Sequence, residues 1–375
     1  MRQFRLRLIL ILVLAPLAAA AIADQAAEQR LTPAWQALDA DKDGAVALEE
    51  LHPLQARVMS LHDADGDGMI SLTEYVSYDL DPGGASRIPI PPAVRLVEDV
   101  PYAASDDPRQ RLDIYLPDQP ADSKPLPVIA YLHGGGWLLG SKVAARTQAL
   151  PLVASGRFAA VSIGYRLSWQ ETWPAQVHDV KAGIRWIRAH AKEYGMDPAR
   201  ICAFGPSAGG HLAAILGTTN GVQNVEGALG ENTDQSSDVQ CVIDFFGPAD
   251  LRDADALDPL GNPSTVTKLL GRPAEEAPAL AANASPLVHV DAGDVPFLIV
   301  HGTDDTLVPY SESVELATAL RKVGVPVILQ TVQGGGHGTF GSATTEINGR
   351  VSAFLEKTFY DKEVLVPGDT LAAEP

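Results

Sequence analysis

Four short stretches carry the residue types that could activate an oxygen nucleophile and stabilise an oxyanion: FGPSAGGHLA (204–213), HGGGW (133–137), HGTDDTLVP (301–309) and QGGGHG (333–338). The first sets Ser207 between Gly205 and Gly209, a G-x-S-x-G pattern whose small residues permit a sharp strand-to-helix turn that lifts a hydroxyl out of a sheet. A serine hydroxyl is a weak nucleophile until a base takes its proton, and imidazole suits that task at neutral pH. His337, in a Gly-rich loop, is such a base. Asp304 and Asp305 are adjacent carboxylates, either able to orient an imidazole and stabilise its cation. Three consecutive glycines, 134–136, let backbone N–H groups approach a ligand with no Cβ in the way, as an oxyanion requires. The helix after Ser207 aims its N-terminus, and the Ala208 N–H, at the same developing charge. Against this stands a plainer reading, in which Ser207 is only a small residue in a tight turn.

Such chemistry needs a scaffold that brings four distant stretches together. After residue 92, eight β-like runs alternate with helical patterns: AVRLVEDVPY, QRLDIYLP, LPVIAYLHGG, FAAVSIGYR, ICAFG, CVIDFFG, VPFLIVHG and VPVILQTV. The first two lie close together and suit an antiparallel start. Several others are continuous apolar runs, the pattern of strands buried on both faces of a parallel sheet. HDVKAGIRWIRAHAKEYG (178–195), with apolar Val180, Ile184, Ile187 and Ala191, and YSESVELATALRKVG (310–324), stopping at Gly324, read as helices. This alternation predicts a doubly wound α/β sheet with helices on both faces, whose ligands bind at the C-terminal strand ends. The four stretches follow the third, fifth, seventh and eighth runs, in the chain order Ser, Asp, His.

From about Ala93 to Lys362 the chain resembles the α/β-hydrolases of the carboxylesterase kind with an HGGG oxyanion loop. Within them it is similar to the hormone-sensitive-lipase-like and the bacterial feruloyl- and acetylxylan-esterase-like members. GYRLSWQETWPAQVHDVKAGIRWIRAHAKEYGMDPARI and NASPLVHV match segments that such enzymes carry at those places. The resemblance implies an α/β-hydrolase fold with a mostly parallel eight-stranded sheet. It makes Ser207 the nucleophile, His337 the general base and acid, and the N–H groups of Gly135, Gly136 and Ala208 the oxyanion donors. In the family motif H-G-x-x-D-x-x-V-P, His301, Gly302, Val308 and Pro309 put Asp305 at the triad acid and make Asp304 a turn residue. His133, His211 and His301 read as structural: a brace for the HGGG loop, a packing residue beneath the Ser207 turn, and a strand-end residue. Trp137 and Trp173 are core by default although near the site in sequence, and Tyr165 and Asp179 are of the same structural kind.

The N-terminal part of the chain carries a different chemistry. DADKDGAVALEE (39–50) and DADGDGMISLTE (63–74) each place acidic residues at positions 1, 3 and 5 of a 12-residue loop, glycine at 6 and glutamate at 12. Calcium prefers several hard oxygen ligands, and the glycine supplies the sharp turn that wraps them. Val46 and Ile70, at position 8, are placed to pair the two loops through a short β-bridge. The two loops, at residues 31–79, resemble a small helical EF-hand pair of the kind seen in exported bacterial proteins. The resemblance implies calcium ligands at Asp39, Asp41, Asp43, Ala45 and Glu50, and at Asp63, Asp65, Asp67, Met69, Ser71 and Glu74. Ala47, at position 9 of the first loop, offers no side-chain oxygen, and Pro53 keeps the connecting helices short. Residues 80–92, rich in Gly and Pro, read as a linker, the hydrolase-like region runs over 93–362, and 363–375 reads as a C-terminal tail.

Residues 1–23 have a basic start (Arg2, Arg5, Arg7), the apolar run Leu8–Ala15 and an Ala21-Ile22-Ala23 cleavage pattern. They fit a secretory signal peptide, so the expected location is periplasmic or secreted. The run is too short to span a bilayer, and no stable membrane anchor is expected. A net charge of −19 repels phosphate backbones and anionic lipid, which argues against nucleic acid as a partner. The two cysteines, Cys202 and Cys241, lie in β-like apolar runs and read as buried small hydrophobes. The resulting expectation is a serine esterase that needs no cofactor for catalysis. Its substrates would be short- to medium-chain acyl esters, small-molecule or polysaccharide-borne, with calcium structural. Segments 219–238 and 252–285 are candidate caps over the site. The alternatives are a serine peptidase of the prolyl-oligopeptidase-like clan and a calcium-binding pseudoenzyme.

Overall fold

The computed structural model describes residues 45–47, 68–71, 88–253, 265–362 and 370–373. The chain divides into two compact units, Met1–Gly84 and Ala85–Pro375. In the first unit, β1 (Ala45–Ala47) and β2 (Met69–Ser71) pair antiparallel, with Val46 opposite Ile70. Ile70 is fully buried, and Gly68, just before β2, has a φ of +84°. The bridge expected between the eighth residues of the two loops is therefore present. The acidic residues Asp39, Asp41, Asp43, Glu50, Asp63, Asp65, Asp67 and Glu74, the leader-like residues 1–23 and residues 80–87 of the linker lie outside the described residues.

The second unit is built on one sheet. Its strands are β3 (Val94–Pro101), β4 (Arg111–Pro117), β5 (Leu126–Leu132), β6 (Ala159–Ile163), β7 (Met196–Pro206), β8 (Cys241–Phe245), β9 (Phe297–Gly302), β10 (Val327–Gln333) and β11 (Thr370–Ala372). Their order across the sheet is β11-β10-β9-β8-β7-β5-β6-β4-β3. The β3–β4 and β4–β6 pairings are antiparallel and the others parallel. All eight expected strands form. The expectation of eight is corrected by β11, which pairs parallel with β10 through Thr331–Thr370, Val332–Leu371 and Gln333–Ala372. Its three residues, TLA, are too few to show a period of two, so only the open edge of β10 makes them a strand.

Alternation along the central strands feeds two cores. On β5, Val128, Ala130 and Leu132 face one side, with α1 (Ala175–His190), α2 (Ala208–Thr218) and α3 (Tyr310–Val323). Ile129 and Tyr131 face the other, with the short helix Leu150–Ala154 and α4 (Thr344–Tyr360). Helix α1 begins three residues ahead of the expected 178 because Pro174 occupies its N-cap and Ala175 and Val177 are already buried. Helix α3 ends as expected at Gly324, whose φ of +87° closes the helix in the left-handed region. Cys202 and Cys241 are opposite one another on β7 and β8, both buried and unbonded.

Segment 219–238 is anchored on α1 by a buried charge network. Lys181 Nζ donates to Thr219 O (3.2 Å), Glu226 Oε2 (3.1 Å) and Ser237 Oγ (3.2 Å), and Arg185 holds the other oxygen of Glu226. All three ammonium hydrogens thus have acceptors, as a buried lysine requires.

Candidate active site

Strand β7 runs straight into α2, and Ser207 is the residue between them. Its backbone has φ 54° and ψ −122°, a strained conformation for a residue with a Cβ, worth on the order of 1–3 kcal/mol. The turn is held from both sides: Ser207 N–H donates to Phe245 O (2.7 Å), and His211 N–H donates to Ser207 O (2.9 Å). Its tightness explains the flanking glycines. A Cβ on Gly209 would lie 2.1 Å from Leu132 O, so only glycine lets α2 start this close to the end of β5.

The HGGG loop leaves β5 beside this turn. A Cβ on Gly134 would sit 3.5 Å from Ser207 Cβ, which measures how closely loop and serine approach. Gly135 has a φ of +113°, and its carbonyl turns inward to accept Leu138 N–H (3.0 Å) and Leu139 N–H (3.1 Å). The N–H groups of Gly135, Gly136 and Ala208 have no acceptor among the described residues. His133 braces the loop as expected, with Nδ1 2.8 Å from Gly134 O and its ring stacked on Tyr165 at 4.1 Å. Burial pushes its imidazole down to about 3, so it stays neutral.

The loops after β9 and β10 bring together an imidazole–carboxylate pair. His337 Nδ1 donates to Asp305 Oδ2 at 2.7 Å, while Asp305 Oδ1 accepts Leu307 N–H (2.8 Å) and Val308 N–H (3.0 Å). Asp305, not Asp304, is therefore the partner of His337; Asp304 accepts from the Thr303 hydroxyl. Burial alone would raise the Asp305 pKa. Hydrogen bonds from His301 and His337 and the Val308 N–H outweigh it and hold the carboxyl well below its ordinary value. The Phe245–Phe246 turn links the two halves of the site. Phe245 O holds the Ser207 backbone, and the Phe246 ring lies 4.5 Å from the His337 ring. The structure does not close a hydrogen bond between Ser207 and His337; such bonds are often long before substrate arrives.

His211 Nε2 is 2.7 Å from Ala284 O, its ring meets Trp137 at 5.0 Å and Trp173 at 5.7 Å, and burial lowers its pKa to about 4. It packs beneath the turn, as expected, and the two tryptophans are core residues, 2% and 3% exposed. Asp179 pairs bidentately with Arg166, which donates Nε to Oδ2 (2.9 Å) and Nη2 to Oδ1 (2.8 Å), and accepts from Gln110. Of the two candidate caps, 252–285 reaches the site: Thr265 Cγ2 lies 3.3 Å from where a Gly136 Cβ would be. Phe246 and Thr265 carried no sequence signal, because neither type is diagnostic and each reaches the site only through the packing of distant strands.

Comparisons with known proteins bear on the family and the fold. The BD-FAE family model matches residues 112–320, more than half of the chain. The chain belongs to the BD-FAE family. A second model, described as TAP-like protein, matches residues 276–365 of this BD-FAE member. It is 31% identical over 236 residues to "Esterase LipC" of Mycobacterium tuberculosis, covering 62% of this chain and 58% of that protein. It is 31% identical over 250 residues to "Esterase LipQ" of the same organism, covering 66% and 58%. The chain thus spans less than two thirds of the length of these curated relatives. Among solved structures, a "Truncated form of carbohydrate esterase from gut microbiota" superimposes with a TM-score of 0.65 at 32% identity, over 70% of this chain and 96% of that one. A propionate-bound esterase of Thermogutta terrifontis superimposes with a TM-score of 0.57 at 28% identity, over 74% and 97%. The fold of this BD-FAE member is the α/β-hydrolase fold.

Proposed function

We propose that this BD-FAE member is an exported serine carboxylesterase acting on short- to medium-chain acyl esters through Ser207, His337 and Asp305. The observation that carries the reading is the 2.7 Å His337–Asp305 pair, which follows the C-terminal ends of β9 and β10, the same edge of the parallel strands that carries the strained Ser207 turn and its glycine loop. In the proposed cycle, Ser207 Oγ attacks the ester carbonyl as His337 Nε2 takes the hydroxyl proton. The carbonyl oxygen, now an anion, accepts the N–H groups of Gly135, Gly136 and Ala208. His337 passes the proton to the leaving alkoxide as the ester C–O bond breaks, leaving an acyl-enzyme. Water then attacks that acyl carbon, giving its proton to His337, and the acid departs as the proton returns to Ser207. Asp305 stays ionised throughout and fixes the tautomer that leaves Nε2 free to act as base.

Thr265 beside Gly136 narrows the space next to the oxyanion donors, which supports a small acyl group. The propionate-bound relative supports the same choice, and the carbohydrate-esterase relative supports an ester carried on carbohydrate, for which acetyl or feruloyl groups on polysaccharide are the proposed substrates. For the first unit we propose structural calcium bound by the two acidic loops, with no part in the chemistry. The β1–β2 register and the left-handed Gly68 fit such a pair, and the ligands would be those of the two sequence loops.

The test is hydrolysis of p-nitrophenyl esters of increasing acyl length by wild type and Ser207→Ala, followed by acetylated and feruloylated xylan. Activity that vanishes in the variant and falls with acyl length is expected. Equal rates in both proteins on every ester would sink the esterase reading, and cleavage of peptides alone would replace it with the peptidase.

A further inference from the structure

The triad acid is gripped by two imidazoles. His301, at the end of β9, sets Nε2 3.2 Å from Asp305 Oδ2, the same oxygen that receives His337 Nδ1. The same nitrogen is 3.0 Å from Val308 O. A carbonyl oxygen only accepts, so Nε2 carries the proton and shares it between Val308 O and the carboxylate. On the opposite edge of the ring, Nδ1 is 2.7 Å from Ser313 Oγ of α3. With this second hydrogen bond the ring is pinned at both nitrogens. His301 and the Asp305 side chain are fully buried and Ser313 is 1% exposed, so water is not available to replace either contact.

We infer that His301 is a positioning residue of this site: by donating to the carboxylate oxygen that His337 also binds, it sets how strongly Asp305 holds the catalytic base. The inference rests on the proposed triad. A carboxylate oxygen with two donors spreads its charge between them, and each bond is weaker than it would be alone. Without the His301 donor, Oδ2 would bind His337 more strongly and favour its protonated form, which cannot accept the Ser207 proton. The loss would also free the carboxylate to rotate about the two backbone N–H groups on Oδ1.

The groups facing this pair are few. Asp244 of β8 is close enough to His301 to interact with it electrostatically, and the exposed Asp304 adjoins Asp305 in the chain. Tyr310 of α3 meets the His301 ring edge-on at 5.7 Å, its hydroxyl 2.6 Å from Thr331 Oγ1 of β10. His337 comes from the loop after β10.

The experiment compares the pH dependence of kcat/KM, with p-nitrophenyl acetate, in wild type, His301→Leu, His301→Gln and Ser313→Ala, with Ser207→Ala as the control for the triad. The acidic limb reports the pKa of His337 in the free enzyme. In His301→Leu the limb is expected to move up by about 0.5–1 pH unit and kcat to fall about tenfold. His301→Gln keeps an amide donor where Nε2 stood and should return the limb to within about 0.2 unit of wild type. A His301→Leu protein that melts like wild type yet shows an unmoved limb overturns the inference. Should that variant not fold, Ser313→Ala decides: an upward limb supports the inference and an unmoved one overturns it. If wild-type activity survives in Ser207→Ala, the triad reading itself is lost and the inference with it, a result distinct from every limb measurement.

Discussion

Burial by itself would push the Asp305 carboxyl toward its neutral form, yet the two imidazoles and the Val308 N–H keep it ionised. That balance has a measurable sign. The folded pKa lies below the ordinary value of 3.8, so the stabilisation is complete above 3.8 and is lost as pH falls through the folded value. The stability gap between wild type and Asp305→Asn, from urea melts, should be constant above about pH 5 and close progressively in more acidic solution. In catalysis Asp305→Asn should cost about 10⁴-fold in kcat, because an amide favours the wrong His337 tautomer. Ser207→Ala should cost at least as much in the same ester assay, without changing the melting temperature by more than a few degrees. Relief of the strained backbone does not come with that change, since alanine keeps the Cβ that makes φ 54° unfavourable. At this scale the sequence was informative for a definite reason. Ser207, His337 and the HGGG loop each stand in a local pattern whose residue types have few other uses. Asp305 was separable from Asp304 only through the family motif, and the role of His301 was invisible because its partners, Asp305, Val308 and Ser313, meet it only after β9 and α3 pack.

The strand–turn–helix element around Ser207 is shaped by a close approach that no single residue announces. Gly209 lies against the end of β5, so Gly209→Ala forces a Cβ to 2.1 Å from Leu132 O. A loss of about 2 kcal/mol or more is expected in denaturant melts, together with a fall in kcat, because only backbone movement can relieve the clash and the backbone carries Ser207. Beneath the same element sits Asp244, fully buried on β8. Its Oδ1 accepts Gly247 N–H at 2.9 Å and its Oδ2 has no hydrogen-bond partner among the described residues. Burial raises its pKa from 3.8 to about 6. Here the sign is opposite to that of Asp305: the favourable contribution is present below 3.8 and lost as pH rises through about 6. Asp244→Asn should therefore gain stability relative to wild type between pH 4.5 and pH 8, by on the order of 2 kcal/mol. An Asn variant that tracks wild type across that range would show that Asp244 is not held protonated. Element identity was legible from apolar runs and helical spacing, whereas the start of α1 and the existence of β11 depended on a proline cap and an unfilled sheet edge.

At the scale of the whole molecule, the two units call for separate readouts. If the acidic loops bind calcium, millimolar calcium should raise the melting temperature of the first unit and chelator should reverse it. Saturation at about 100 times Kd corresponds to roughly 2.7 kcal/mol. Ester hydrolysis by the second unit should be unchanged by either treatment, and a parallel loss of activity in chelator would contradict a purely structural ion. Among the described residues no helix is long and apolar enough to cross a membrane. The sequence by itself determined the class of fold and the chemistry on offer, because alternation of strands with helices and the composition of tight loops are local properties written in short windows. It also fixed where chemistry would gather, since a doubly wound sheet collects its loops at one edge. Only the tertiary structure decided which atoms meet: the choice of Asp305 over Asp304 by contact, the second imidazole on that carboxylate, the Phe246 ring against His337 and Thr265 beside Gly136 of the HGGG loop. Each of these pairs joins residues from different strands or loops, and such distances are set by packing of the two cores rather than by any neighbouring residue in the chain.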